Sequence, residues 1–203
     1  MPNLAVVSTT VLTDKLGQTH VWGDVRNDGD TTQRWPRVTV HLLDDGGVQV
    51  AQASDILALE WLDAHSRVPF HVVFVDPVAP WVDYRLEVTG HEHDYEDGSV
   101  PQPAAGLAVE AVHYREIGRA GLVCTLMGAV RNTGDQPVTR VKVAGTLYGP
   151  DGAVVGSLSP YLIQDGILAE RHTARFELKF YLLGGTVADY RVAAQGRQVS
   201  VRH

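Results

Sequence analysis

The sequence predicts an all-β protein made of two tandem β-sandwich domains related by internal duplication. Three observations predict it: apolar residues at every second position, turn residues at intervals of about 8–12 positions, and a repeat of the whole pattern in the second half of the chain. The chain has 203 residues, of which 44% are hydrophobic and 20% charged, and it contains no apolar run long enough for a membrane span. This composition excludes a disordered polyelectrolyte and a disulfide-stapled miniprotein.

The duplication is clearest at a turn sequence that occurs twice. Residues 23–30 (GDVRNDGD) return as residues 128–135 (GAVRNTGD), and the later triplet DYR occurs at residues 83–85 and again at residues 189–191. The aromatic strand that begins at Phe70 has its counterpart at Phe176. We therefore predict a first domain over residues 1–90, a linker over residues 91–106 that is polar and then rich in Pro and Ala, and a second domain over residues 107–203.

Within each copy the period is two, as in half-buried strands. Phe70, Val72 and Phe74 alternate with His71 and Val73, which places the first three on one face. Further strands are predicted at residues 4–11, 20–25, 38–43, 48–53 and 82–89, and residues 54–61 are predicted as strand plus loop rather than helix. Six or seven short strands in about 90 residues are typical of an immunoglobulin-like sandwich.

Two hairpin sequences carry a resemblance to a known family. Residues 40–44 (VHLLD) followed by DGGV, and residues 145–149 (GTLYG) followed by PDGAV, resemble the strand-and-hairpin motif of bacterial and archaeal FxLYD domains. The Asn-x-Gly turn upstream and the strand of Phe70 or Phe176 downstream are similar to the same pattern. The resemblance implies a non-catalytic, immunoglobulin-like module of the kind found in cell-envelope and surface proteins.

The charge of the chain is uneven. Its net charge is −7, yet residues 1–98 hold 6 Lys and Arg against 16 Asp and Glu, whereas residues 99–203 hold 11 against 8. An acidic chain of this kind is not expected to bind nucleic acid. The asymmetry favours docking of the two halves or end-to-end association, although salt screens exposed charges within about 8 Å. The oligomeric state stays open.

The N-terminus and the single cysteine say little about the compartment. Residues 1–7 (MPNLAVV) lack the basic and apolar regions of a secretory signal, so the protein is expected inside the cell unless a leader was trimmed. Cys124 excludes an intrachain disulfide and is predicted to be a small buried hydrophobe in a strand.

Two groups of polar residues suggest ion binding as an alternative to a structural role. Asn27 and Asn132 occupy the repeated turn and are predicted to cap their own backbone two residues on. The competing interpretation is a Ca²⁺ site of Asp24, Asp28 and Asp30, for which six or more oxygens are needed.

A second candidate lies in the linker. His91, His93 and Asp94 offer nitrogen and oxygen ligands, and two imidazoles at positions i and i+2 project from the same side of an extended segment. A zinc site would need a further ligand, and the competing interpretation is a solvated charged linker. No cofactor is predicted.

Catalytic motifs are absent from the sequence. It has no P-loop, no G-x-S-x-G elbow, no His-Glu-x-x-His helix and no dinucleotide fingerprint. Tyr84 and Tyr190 recur at equivalent points, which favours packing over catalysis. We therefore expect no enzyme activity and no small-molecule pocket; the remote alternative is an enzyme whose site is assembled from Asp, Glu and His residues scattered along the chain.

The tryptophans all lie in the first copy, and one of them is the candidate binding residue. Trp35 matches Arg140 in the second copy and is predicted at the surface, where Arg34 and Arg37 flank it. Three others match apolar residues and are predicted to be buried or half-buried: Trp22, Trp61 and Trp81. The expected function is an interaction or spacer module that contacts a protein partner through sheet edges or end loops. The alternative is a carbohydrate-binding module that uses Trp35.

Overall fold

The computed structural model describes residues 3–92, 101–117 and 123–199, and within these ranges every regular element is a β-strand. The first unit comprises β1 (Leu4–Thr13), β2 (Thr19–Asn27), β3 (Gln33–Leu43), β4 (Gln49–Ile56), β5 (Trp61–Leu62), β6 (Arg67–Phe74) and β7 (Asp83–Glu92). The second unit comprises β8 (Leu107–Ile117), β9 (Val123–Asn132), β10 (Val138–Tyr148), β11 (Val154–Leu158), β12 (Tyr161–Leu168), β13 (Thr173–Tyr181) and β14 (Asp189–Gln198).

Each unit is a pair of antiparallel sheets with the same strand order. In the first unit one sheet runs β1-β2-β6, and the other has β3 at its centre, with β7 along one side and β4 and β5 sharing the opposite side. The second unit repeats this with β8-β9-β13 and with β10 between β14 and the pair β11 and β12. The all-β fold and its duplication are thus confirmed, whereas the predicted limits of the two domains and the linker stay predictions.

The core of each unit lies between its two sheets, as the alternation of apolar residues predicts. Phe70, Val72 and Phe74 are 1%, 1% and 5% exposed and meet side chains of the opposite sheet. The same holds for Phe176 and its alternating neighbours in the second unit. Apolar side chains of β3 and of its counterpart β10 complete these cores: Val38, Val40, Leu42, Val141, Val143 and Leu147.

A glycine opposite each of these phenylalanines leaves room for the ring beside the neighbouring strand. Gly23 of β2 pairs with Phe70 of β6, and Gly128 of β9 pairs with Phe176 of β13. A Cβ on Gly23 would overlap the carbonyl oxygen of Ser8 and lie 2.5 Å from Cε1 of Phe70; on Gly128 it would lie 2.7 Å from Cζ of Phe176. The repeated glycine and the repeated phenylalanine are therefore one packing device that occurs twice.

The repeated asparagine closes the turn after the central strand of each first sheet. Asn27 is fully buried; its Oδ1 accepts the amide of Gly29 at 3.0 Å, and its Nδ2 donates to the carbonyls of Thr31 and Leu62 at 2.8 and 3.1 Å. Asn132 forms the equivalent hydrogen bonds in the second unit. The predicted self-capping turns are confirmed, and the asparagines also tie each turn to the strand or loop beside it.

The outer edges of the two larger sheets differ. In the first unit β4 pairs with β3 in a single run, and residues 54–61 form the end of that strand and a loop, as predicted. In the second unit Ser159 and Pro160 divide the corresponding edge into β11 and β12. β4 and β12 each pair on one side only within the described ranges.

The two units pack directly against each other through one outer face of each. In β14 the alternate residues Tyr190, Val192 and Ala194 face the core of the second unit, whereas Ala193 packs against the core cluster of the first. Ala144 of β10 is 2% exposed and joins the same first-unit cluster. The larger sheet of the second unit therefore lies on the first unit.

Candidate binding groove at the junction of the two units

Polar side chains of β14 hold the loop before β5 of the first unit. Arg197 donates from Nε and Nη2 to the carboxylate of Glu60 at 3.0 and 3.1 Å. Gln195 accepts the amide of Trp61 at 3.0 Å and donates to its carbonyl. Arg34 adds a longer contact of 3.4 Å to Glu60. Two arginines, one from each unit, thus share a single carboxylate.

A buried carboxylate lies deeper in the same interface. Asp24 is 1% exposed, and its Oδ2 accepts the hydroxyl of Tyr148 at 3.0 Å and lies 3.8 Å from Nη1 of Arg67. Its Oδ1 is buried without a hydrogen-bond partner among the described residues. Burial raises the pKa of this carboxyl above its usual value, against the opposing effects of Tyr148 and the nearby arginines.

An aromatic and histidine stack borders this interface on the first unit. The rings of His20, Trp22 and His71 are stacked, with centroids 4.7–5.3 Å apart, and Trp22 packs on Tyr148 of the second unit. Nδ1 of His20 lies 3.0 Å from Nε2 of His71. Burial, with a smaller contribution from His20, lowers the pKa of His71 to about 4, so its imidazole is neutral at neutral pH.

A groove of about 350 Å³ opens at one end of the junction. We call it the junction groove; two of its walls are the exposed aromatic side chains of Trp35 and Tyr161, 45% and 40% exposed. Its volume is at the lower end of the range of ligand pockets, about 300–1,000 Å³. The sequence predicted no such cavity, because it forms only where the two units meet. Its other lining residues are Asp55, Ile56, Leu57, Glu60, Trp61, Arg140, Lys142, Ser159, Gln195, Gly196 and Arg197.

Two equivalent β-bulges bring their central residues to this groove. Trp35 of β3 has φ 48° and Arg140 of β10 has φ 50°, and at both positions the pairing with the neighbouring strand shifts register. A bulge redirects the side chain at the irregular position. Because the duplication aligns Trp35 with Arg140, the packing of the two units places both copies of the bulge in one groove.

The cations that line or border the groove fall into two groups. Arg34 stacks on Trp35, with Cζ 3.8 Å from the ring centroid, and together with Arg197 it neutralises Glu60. Arg140 and Lys142 instead flank Tyr161, with Cζ and Nζ 5.2 and 5.5 Å from its ring centroid. No carboxylate of the described residues lies within 4.0 Å of either of these two cations.

The predicted binding residues are partly brought together. Trp35 lines the groove, and Arg34 stacks on its ring without lining the groove itself. Arg37 donates to Oγ of Ser54 at 3.1 Å and does not line the groove either. Arg140, Lys142 and Tyr161 were missed by sequence reasoning. One sequence signal could have located the interface between the units. Thr39 and Glu87 of the first copy align with Ala144 and Ala193 of the second, and these two alanines face away from the core of their own unit.

The candidate metal ligands do not assemble in the described part of the chain. His91 lies in β7, paired with Arg34, and His93 and Asp94 lie outside the described residues. No group of three or more potential ligands converges within the described ranges.

The three acidic residues of the repeated turn take separate partners. Asp28 pairs with Arg26, and Asp30 lies 3.2 Å from Nε2 of His65, while Asp24 is in the inter-unit interface described above. The arrangement thus does not match the Ca²⁺ alternative.

Two further side chains behave as predicted. Cys124 is fully buried, and burial raises the pKa of its thiol, which makes it a packing residue. Tyr190 stacks on Tyr114, with ring centroids 6.0 Å apart, and its hydroxyl donates to the carbonyl of Val112 at 3.4 Å. Within the described ranges no helix has the length and apolarity to cross a membrane.

Residues 3–88 match a protein family. That family is described as a protein of unknown function, DUF3426. The match covers the first unit, and the second unit is related to it by the duplication described above. No curated protein matches the chain. The resemblance to FxLYD domains stays a prediction.

The comparison with solved structures found matches of low similarity, including the following three. Red sea bream transglutaminase is 12% identical with a TM-score of 0.32, over 97% of this chain and 29% of that one. The C-terminal globular domain of an oligosaccharyltransferase from Pyrococcus abyssi is 8% identical with a TM-score of 0.28, over 98% and 47%. An exo-chitosanase of Amycolatopsis orientalis is 12% identical with a TM-score of 0.28, over 95% and 26%. The chain thus spans less than half of each of these structures.

Proposed function

We propose that this chain is a non-catalytic interaction module of two immunoglobulin-like units that binds an extended polypeptide segment in the junction groove. The observation that carries the proposal is the meeting of the two bulges, which puts Trp35 and the Arg140–Tyr161 pair in the lining of one groove. Aromatic side chains and arginines are the residue types that dominate binding energy at protein interfaces.

Two open strand edges near the groove support a polypeptide as the occupant. Asp55 and Ile56 at the end of β4, and Tyr161 at the start of β12, line the groove, and both strands pair on one side only within the described ranges. An extended segment can form main-chain hydrogen bonds with such an edge while its side chains enter neighbouring pockets.

The chemistry of the lining supports binding rather than catalysis. Histidine and cysteine are absent from the lining residues, and the Glu60 carboxylate is already held by Arg34 and Arg197. A general base or nucleophile needs a free partner within hydrogen-bond reach of the reacting atom. The lining hydroxyl of Ser159 makes no hydrogen bond to the lining carboxylates Asp55 and Glu60.

A peptide array with labelled protein tests the proposal. We expect peptides captured by the wild type to be lost by a Trp35→Ala/Tyr161→Ala double variant and kept by Tyr181→Ala, which removes an exposed tyrosine outside the groove. Capture that the double variant retains would place binding elsewhere. No capture by the folded wild type would end the proposal.

The exposed indole of Trp35 supports a second candidate, carbohydrate binding. Arg34 covers one face of the ring, and the side chain is still 45% exposed, so one face can stack on a sugar. A glycan array with a tryptophan fluorescence titration tests it. A sugar-dependent signal that Trp35→Ala abolishes is expected if it holds, and no sugar-dependent change removes it.

A further inference from the structure

We infer that the segment bound in the junction groove is acidic and that Arg140, Lys142 and Tyr161 form its carboxylate site. This inference rests on the proposed function and names the chemistry of the partner. It starts from the charges that line the groove, which are the cations Arg140, Lys142 and Arg197 and the carboxylates Asp55 and Glu60.

The two groups of cations differ in whether they form ion pairs within the protein. Arg197 and Arg34 are both used by Glu60. Arg140 and Lys142 have no carboxylate within 4.0 Å among the described residues; Glu60 and Asp165 act on Arg140 only from farther away, and Arg140 donates a hydrogen bond to the hydroxyl of Tyr161 at 3.1 Å. Further N–H donors of its guanidinium therefore remain for a ligand.

The geometry suits a carboxylate. Cζ of Arg140 and Nζ of Lys142 lie 5.2 and 5.5 Å from the centroid of the same tyrosine ring, so an anion beside that ring is attracted by both cations. A guanidinium presents paired N–H donors to a carboxylate, and such charge-assisted bonds are about twice as strong as neutral ones. Partial enclosure by Trp35 and Tyr161 reduces the screening of this attraction by water and salt.

The positive charge of this site contrasts with the net negative charge of the chain. The chain has a net charge of −7, and the first half carries all of the acidic excess, so an acidic segment is repelled by much of the surface of the first unit. Arg140 and Lys142, which form no ion pair within 4.0 Å among the described residues, belong to the second half, and that half has a net positive charge. The groove is thus a local site for an anion on an acidic protein.

A polypeptide is favoured over an acidic glycan because the open edges of β4 and β12 offer backbone hydrogen-bonding groups beside the cations. An extended acidic segment can bind the cations through its carboxylates and an open strand edge through its backbone at the same time.

The test uses the full chain and three fluorescent peptides of equal length, made of Glu and Gly, Gln and Gly, or Lys and Gly, with an oligogalacturonate as the glycan arm. Binding is measured by fluorescence anisotropy at low and high salt. The variants are Arg140→Gln and Lys142→Gln. The matched control is Lys179→Gln, because Lys179 lies over Tyr181 at 5.3 Å, as Lys142 lies over Tyr161, but outside the groove.

We expect the Glu peptide to bind, each groove variant to weaken binding by about fivefold or more, and the control to change it less than about twofold. Binding should weaken with added salt. Equal losses in Lys142→Gln and Lys179→Gln would overturn the site, and tighter binding of the glycan than of the Glu peptide would overturn the occupant. Equal binding of the Gln and Glu peptides would overturn the inference and leave the proposed function standing. If no peptide binds, both fail.

Discussion

At the scale of single residues, the buried Asp24 contributes to the pH dependence of the inter-unit interface. Folding raises the pKa of this carboxyl above its ordinary value of 3.8, so the folded chain holds a proton at pH values where the unfolded chain has released it. The ionised form therefore lowers the free energy of unfolding at neutral pH. The free energy of unfolding that is lost in this way is regained as the pH falls through the raised pKa towards 3.8.

Replacement of Asp24 by Asn tests this sign. We expect Asp24→Asn to be more stable than the wild type at pH 7, because the amide still accepts the Tyr148 hydroxyl without a buried charge. The difference should shrink as the pH falls through the raised pKa, as measured by urea unfolding at several pH values. Lower stability of the variant at pH 7 would show that the Arg67 contact outweighs burial.

Gly23 gives a second prediction at this scale. Gly23→Ala should lower the free energy of unfolding by about 1–3 kcal/mol, because the added methyl overlaps Ser8 and the Phe70 ring. Gly184→Ala is the control, since the nearest atom to its added Cβ is 4.0 Å away. Equal effects in the two variants, measured by thermal or urea unfolding, would contradict the packing argument.

At the scale of elements, the asparagine turns connect β2 to the loop after β5. Asn27→Ala should lower the free energy of unfolding by about 2 kcal/mol, since the half-buried amide of Gly29, the carbonyl of Thr31 and the buried carbonyl of Leu62 lose their partner. Urea unfolding measures this loss. Asn3→Ala is the control, because Asn3 is exposed and contacts the turn through its backbone carbonyl, which the substitution keeps. An effect within about 0.5 kcal/mol would mean that water replaces the side chain.

Elements were the part of the structure that the sequence predicted best. Alternation depends on local side chains, so the strands of Phe70 and Phe176 and the repeated turns were found from the sequence alone. The groove was not, because Arg140 and Tyr161 gain their role only when the two units pack together. Trp35 was found because its counterpart is polar, which indicates an exposed position in both copies.

At the scale of the whole molecule, the inter-unit interface should make the two units unfold together. All four tryptophans belong to the first unit, so their fluorescence reports its unfolding, while far-UV circular dichroism reports both. The two urea curves of the wild type should coincide. Trp22→Ala removes the indole that packs on Tyr148 and Val154, and the curves should then separate.

Trp35→Ala is the control for this prediction, because its side chain is 45% exposed and lies outside that apolar contact. Its two curves should coincide as in the wild type. Coincident curves in Trp22→Ala would show that the hydrogen bonds of Gln195 and Arg197 are enough to couple the units.

The unequal edges of the two larger sheets also affect solubility. Pro160 interrupts the edge of the second unit, and a proline at such a position discourages further strands from adding. β4 has no proline or glycine and one charged side chain, Asp55, along its eight residues. Self-templated fibre growth at high concentration would therefore begin at β4, and a lysine at its outward-facing Gln52 would suppress it.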